Sequence, residues 1–212
     1  MNPDKYPFAQ HVKNVTRQLS ALEKLELPQP LKWTIDWKIV KNIAEQGNGK
    51  AIFSSYPFFK GLSQQDSFPA IYHFSIERST CPALYGAFRI AKDESSEYRR
   101  NKNIKDPGFR NICHVPKYLG TTKCLYVGSV KKNVASRIQQ HLGLINTGRT
   151  GAMYLRHILP LLTAPPTTKI TVYFFDKPYV HLTEHMEYVF QTSLRPLLGK
   201  RSLNEVELDH NE

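Results

Sequence analysis

Residues 123–141 read KCLYVGSVKKNVASRIQQH, and this stretch decides the fold of the central part of the chain. The apolar run that ends in Tyr126-Val127-Gly128 predicts a short strand, and the residues after Lys132 have the apolar spacing of a helix. This helix carries Arg137 and His141, which are four residues apart and therefore share one face. The strand end and the helix thus bring a phenol, a guanidinium and an imidazole toward one place.

Further strands and helices are predicted on both sides of this unit. Residues 69–76 and 168–175 are rich in β-branched and aromatic residues and predict strands, and 83–90 is another β-prone run. Helices are predicted over 152–162 and from 183 to about 194, each followed by proline. This order of elements predicts an α+β fold, in which helices flank a small sheet.

The first 65 residues predict an N-terminal extension that serves DNA binding or dimerisation. Its apolar residues fall four and three positions apart and predict a helix: Phe8, Val12, Val15, Leu19 and Leu22. That helix either packs on the rest of the chain or forms a dimer contact. Residues 33–44 suit a strand as well as a helix, and 54–69 predict a connector. Residues 205–212 predict a flexible tail.

The net charge of +11 indicates a polyanionic partner. DNA is the first candidate, and an anionic membrane surface is a weaker one because no helix combines a basic face with a broad apolar face. Residues 92–118 are polar and basic and predict a long inserted loop. The basic residues expected to contact DNA are Arg99, Arg100, Lys102, Lys105, Arg110, Lys131, Lys132, Arg149, Lys200 and Arg201.

The cellular setting is predicted from what the sequence lacks. No apolar run approaches the roughly 20 residues that cross a bilayer, and residues 1–5 do not have the layout of a secretion signal. Three cysteines without close spacing, Cys81, Cys113 and Cys124, fit a reducing compartment. They are either free thiols or, with His114, a zinc site. We expect a soluble cytoplasmic protein of a prokaryotic cell, with no membrane contact.

One ordered set of residues resembles the GIY-YIG nuclease superfamily. It consists of Ala70-Ile71-Tyr72, then Tyr126-Val127-Gly128, then Arg137 and His141, and then Glu187 with Pro196 nine residues later. The resemblance covers about residues 69 to 200, and we place the nuclease-like domain at 66–204, with its insertion at about 92–118. It implies a sheet flanked by helices and hydrolysis of a DNA phosphodiester with Mg²⁺ or Mn²⁺.

The resemblance also implies roles for individual residues. Glu187 matches the metal-binding glutamate, Arg137 the catalytic arginine, and Tyr72 and Tyr126 the two motif tyrosines, while His141 matches a histidine of many members. The chemistry agrees, since a phosphodiester needs charge neutralisation at its non-bridging oxygens, and the fork of an arginine suits them. Tyr72 is the candidate that takes the proton from water, although the ordinary pKa of a tyrosine is about 10.

The sequence also departs from the family pattern. Ala70 replaces the first glycine, and the insertion widens the separation between the two tyrosine motifs. The asparagine expected shortly after Pro196 is absent, and Asn204 is a candidate to replace it, although its spacing differs.

The preferred interpretation is a site-specific type II restriction endonuclease that cuts double-stranded DNA as a homodimer formed through the N-terminal helix. The alternatives are a structure-specific repair or recombination nuclease and a non-catalytic DNA-binding protein with the same fold. For the residues themselves, structural roles stay open. Arg137 could pair with an acidic neighbour, His141 could cap local carbonyls, and Glu187 could be a solvated helix residue.

Overall fold

Strands and helices alternate along most of the chain in the computed structural model, which describes residues 29–45, 56–101, 105–106, 108–117, 120–146 and 151–199. The strands are β1 (Leu31–Thr34), β2 (Ala70–Ser75), β3 (Cys124–Val130) and β4 (Lys169–Phe174). The helices are α1 (Trp37–Glu45), α2 (Pro57–Gln64), α3 (Cys81–Arg100), α4 (Val134–Leu142), α5 (Leu155–Ile158) and α6 (Thr183–Leu194). The predicted helix over residues 8–22 lies outside the described residues.

The four strands form one antiparallel sheet in the order β1-β4-β2-β3, and the six helices of the described residues pack against it. The predicted α+β class is therefore confirmed. In the register of the sheet, Tyr72 lies between Gly128 of β3 and Val172 of β4. Because the apolar β2 is paired on both sides, Tyr72 sits near the middle of the sheet and is held by two neighbouring strands.

Different helices pack against the two faces of the sheet. Successive strand residues point to opposite faces, so Tyr72 and Phe74 share one face, where their rings meet His141 of α4. His73 points to the other face, where its ring lies near those of Tyr173 and Phe190, and Phe190 belongs to α6. Helices α4 and α6 thus cover opposite faces of the sheet.

Several predicted elements match the structure and others do not. The strands predicted at 69–76 and 168–175 and the helices that start near 132 and 183 are confirmed. The ambiguous stretch 33–44 contains both forms, because β1 ends at Thr34 and α1 begins at Trp37. The predicted connector 54–69 instead contains α2, and the predicted helix over 152–162 is reduced to α5 and a short 3₁₀ turn.

The prediction of a β-prone run at 83–90 is wrong, because these residues belong to α3. Leu84, Ala87 and Phe88 are buried at the three- and four-residue spacing of a helix. The same helix continues to Arg100, so the first part of the predicted inserted loop is helical. The later part, from Phe109 to Pro116, has no regular secondary structure apart from the bridge at Ile112 and is largely buried.

In the parts of the chain that the structure describes, none of the helices has the length and apolar character required to cross a bilayer.

Candidate active site

The side chain of Tyr72 is the centre of a hydrogen-bonded group on the face of the sheet that α4 covers. It is only 1% exposed. Its hydroxyl oxygen lies 3.0 Å from Nε2 of His141 and 3.3 Å from Nε of Arg137, which donates to it. The structure therefore brings together three residues that the sequence had placed at one site, from one strand and one helix.

The tautomer of His141 follows from its other ring nitrogen. The ring is fully buried, and burial first and Arg137 second lower its pKa well below the ordinary value, so the ring is neutral. The backbone N–H of Met153 donates to Nδ1 at 3.3 Å. Since Nδ1 accepts, the ring proton sits on Nε2 and is donated to the oxygen of Tyr72. The Tyr72 oxygen thus accepts from both partners.

Arg137 is half-buried and donates hydrogen bonds to several acceptors. Besides Tyr72, it donates to Oε1 of Gln140 and, at 2.7 Å, to the backbone carbonyl of Gly151. Tyr126 also takes part in a side-chain hydrogen bond with this guanidinium. The partners Tyr72, Gln140 and Gly151 are neutral groups, so these hydrogen bonds leave the positive charge of Arg137 uncompensated.

Tyr126 is the more accessible of the two phenols, since its ring is only partly buried. The ring lies 4.6 Å from His141 and stacks near Tyr72 with centroids 6.3 Å apart. Burial raises the pKa of Tyr126 to about 12, against the opposing effect of Arg137. Burial also raises the pKa of Tyr72 far above its ordinary value, so both phenols are protonated near neutral pH.

Glu187 reaches the same strand end from the opposite face. It lies on α6 and is partly buried. Its Oε2 accepts a hydrogen bond from the hydroxyl of Ser129, and its Oε1 accepts one at 3.0 Å from Nε2 of Gln191. Burial raises its pKa, while Ser129 and Arg137 act in the other direction.

Sequence reasoning missed Ser129 and Gln191. Gln191 lies four residues after Glu187, a spacing at which helical side chains meet, so the sequence contained a signal for this pair. Ser129 directly follows the Tyr126-Val127-Gly128 motif, and strand alternation places it on the face opposite Gly128. Its partner on α6 could not be inferred from spacing alone.

The buried part of the predicted insertion supports the site. Ile112 pairs with Ala152 in a parallel bridge, in which Ala152 donates to the carbonyl of Asn111 at 3.0 Å and Cys113 donates to the carbonyl of Ala152 at 3.0 Å. The residues on either side of Ala152 are the ones whose backbone atoms bind Arg137 and His141. The insertion therefore holds the backbone that orients two candidate catalytic residues.

The residues predicted to contact DNA lie in different settings. Arg99 donates to the side chain of Asn111 and lies over the ring of Phe109, and Arg110 donates to the Phe109 carbonyl. Lys131 forms an exposed ion pair with Glu184 at 3.0 Å. Arg100, Lys105 and Lys132 are exposed. Lys102, Arg149, Lys200 and Arg201 lie outside the described residues, as does Asn204.

The carboxylate of Glu187 is the kind of oxygen ligand that a hard divalent ion prefers. Within the described residues, no three or more His, Cys, Asp or Glu side chains form a group that could hold a metal ion. Cys81, Cys113, Cys124 and His114 all belong to the described residues and form no such group, so the structure does not support the alternative zinc site. Mg²⁺ is commonly bound by one or two carboxylates together with waters and substrate phosphate, and the partly exposed carboxylate of Glu187 is an oxygen ligand of this type.

Comparisons with protein-family models, with curated proteins and with solved structures found no match for this chain.

Proposed function

We propose that the protein is a metal-dependent DNA endonuclease with a GIY-YIG-like domain, and most specifically a type II restriction endonuclease. One observation carries the proposal. The network of Tyr72, Tyr126, Arg137 and His141 and the carboxylate of Glu187 meet at one end of β3. The order of these residues along the chain is the order that carries the family resemblance.

The accessible members of the group would contact the substrate. Tyr126, Arg137 and Glu187 are partly exposed, whereas Tyr72 and His141 are buried behind them. Arg137 would neutralise the non-bridging oxygens of the scissile phosphate, because its guanidinium is permanently charged and is fixed by neutral acceptors. Glu187 would hold Mg²⁺ or Mn²⁺, which when bound supplies Lewis-acid stabilisation of charge at the phosphate.

Tyr72 is the proposed group that takes the proton from the attacking water. Tyr72 accepts hydrogen bonds from Arg137 and His141, and both donors favour its phenolate, whereas burial disfavours it. Tyr126 has the smaller rise in pKa and greater access to solvent. Tyr72 could accept the proton only as a phenolate, which the positive charge of a bound metal ion would favour. Tyr126 would orient the phosphate or the water.

The proposed substrate is double-stranded DNA. A net charge of +11 and the exposed Lys131 and Lys132, which lie between β3 and α4 next to the site, favour a polyanion. We also propose that the enzyme is a homodimer, because cutting both strands takes two active sites. The proposed location is the prokaryotic cytoplasm. Binding to DNA should weaken steeply as salt concentration rises.

Supercoiled plasmid incubated with Mg²⁺ tests the proposal. Discrete linear fragments are expected from the wild type, and no cleavage with retained binding is expected from Glu187→Ala. Cutting confined to branched DNA would replace the restriction assignment with a structure-specific nuclease. Binding without any cleavage by the wild type would favour a non-catalytic DNA-binding protein, and an active Glu187→Ala variant would remove the metal assignment.

A further inference from the structure

The carboxylate of Glu187 is held by donors that come from two separate elements. Ser129 at the end of β3 donates its hydroxyl to Oε2. Gln191, one helical turn after Glu187, donates its side-chain amide to Oε1 at 3.0 Å. The carboxylate is therefore fixed between a strand and a helix, and it is not left to rotate on α6.

The two hydrogen bonds orient the carboxylate and leave it able to bind a further partner. A carboxylate has about four lone-pair directions, and Ser129 uses one on Oε2 while Gln191 uses one on Oε1. Each oxygen therefore keeps one direction in which it could bind a cation. The charge of Arg137 also acts on Glu187 and favours its ionised form.

We propose that Ser129 and Gln191 are positioning residues for the metal ligand Glu187, because together they fix the orientation in which its carboxylate meets a divalent cation. This inference rests on the proposed function, since it assigns a role to neighbours of the proposed ligand. Partners of this kind orient a ligand without touching the metal, and their loss typically weakens metal affinity or activity by about 10- to 100-fold.

Because of Ser129, the end of β3 positions side chains on both faces of the sheet. Gly128 faces the tyrosines and Ser129 faces α6, since neighbouring strand residues point to opposite faces. One strand end therefore positions the phenols on one face and the carboxylate on the other. A serine or threonine is required at 129 by this inference, because alanine lacks the hydroxyl that donates to Oε2.

The experiment measures Mn²⁺ binding directly, by titrating the full-length protein mixed with plasmid DNA and following free Mn²⁺ by electron paramagnetic resonance. The variants are Ser129→Ala, Gln191→Leu and the conservative Ser129→Thr, with Thr192→Ala as a matched control on the exposed side of α6. Glu187→Ala defines the signal without the ligand. Cleavage rates are measured on the same samples as a function of Mg²⁺ concentration.

The expected result is at least about tenfold weaker Mn²⁺ binding for Ser129→Ala and Gln191→Leu. Their half-maximal cleavage should move to higher Mg²⁺ concentration, and saturating Mg²⁺ should restore much of the rate. Ser129→Thr and Thr192→Ala should match the wild type. A merely structural role would lower the melting temperature and the maximal rate without moving the Mg²⁺ dependence.

Two results overturn the inference in distinguishable ways. If the wild type binds more Mn²⁺ than Glu187→Ala while Ser129→Ala and Gln191→Leu bind as the wild type does, the positioning role is wrong and the proposed function stands. If the wild type binds no more Mn²⁺ than Glu187→Ala and does not cut DNA, the proposed function itself fails and the inference fails with it.

Discussion

The hydroxyl of Tyr72 occupies the space that a side chain at position 128 would take. An ideal Cβ built on Gly128 would lie 2.5 Å from this hydroxyl oxygen and 2.8 Å from Cε1 of Tyr126. Both distances are far inside van der Waals contact. The glycine is therefore what allows two tyrosines from neighbouring strands to approach each other at the strand end.

Gly128→Ala should consequently damage the site. The hydroxyl of Tyr72 is buried and bonded to His141 and Arg137, so it cannot move away without breaking those bonds. We expect a loss of about 1–3 kcal/mol in the free energy of unfolding, as is typical of overpacking, together with loss of cleavage. Chemical denaturation and the plasmid assay measure the two effects.

Gly86→Ala is the matched control for this substitution. Gly86 lies inside α3, where a Cβ would meet nothing within 4 Å. Alanine there should raise stability by roughly 0.5–1 kcal/mol, because glycine is a poor helix former. A Gly128→Ala protein that cuts DNA at the wild-type rate would show that the close approach of the tyrosines is not needed.

Arg137→Lys should reduce cleavage by orders of magnitude while the fold is kept. A single ammonium cannot bond the oxygen of Tyr72 and the carbonyl of Gly151 while also presenting a planar fork to a phosphate. Single-turnover cleavage measures the chemical step, and a circular-dichroism melt checks the fold. Ser136→Ala, on the exposed side of α4, is the control. A melt showing collapse of Arg137→Lys would indicate that the arginine is mainly structural.

The sequence predicted those parts of the fold whose signals are local. The alternation in β2 and β4 and the apolar spacing in α4 are properties of single segments, and all three elements formed as expected. The prediction failed at 83–90, where Tyr85 and Phe88 favoured a strand. Tertiary packing decided for a helix, because Leu84 and Phe88 are buried one turn apart.

The same distinction holds for the site. Arg137 and His141 could be paired from their spacing on one helix, and Tyr72 from its motif. The groups that orient them could not be found in this way, because they are the backbone carbonyl of Gly151 and the backbone N–H of Met153. The type of a residue does not reveal which groups its backbone atoms will bind. The position of the backbone at 151–153 depends on its pairing with the distant residues 111–113.

Acid should destabilise the protein through His141. Burial and Arg137 lower the pKa of this ring, so below its ordinary value of about 6.5 the unfolded chain binds a proton that the folded chain does not. The contribution of His141 to the free energy of unfolding is constant above about pH 6.5. Below that pH the free energy of unfolding falls, by up to about 1.4 kcal/mol per pH unit. His73, and His157 with a pKa of about 4, act in the same direction.

Denaturation at several values between pH 8 and 5 tests this dependence. The wild type should lose stability below about pH 6.5, and His141→Asn should show a shallower loss because one of the buried neutral rings is gone. The variant will also be less stable at pH 8, since Tyr72 loses a donor. Equal slopes in the two proteins would contradict a neutral buried His141.

Arg99 and Arg100 should behave differently, although both were predicted to contact DNA. Arg99 donates to the side chain of Asn111, whose backbone carbonyl accepts from Ala152, so it supports the pairing that orients the site. Arg100 is the exposed last residue of α3. Arg99→Ala should therefore lower the cleavage rate at saturating DNA and cost about 1 kcal/mol of stability, whereas Arg100→Ala should change neither.

Measuring DNA affinity by fluorescence anisotropy in parallel with cleavage at saturating DNA separates the two roles. A residue that contacts phosphate lowers affinity and the salt dependence of binding. A residue that acts through Asn111 lowers the rate at saturation and leaves affinity near that of the wild type. If Arg99→Ala weakens binding but cuts at the full rate once saturated, Arg99 is a DNA contact. The support of the site by residues 111–113 would then not depend on this side chain.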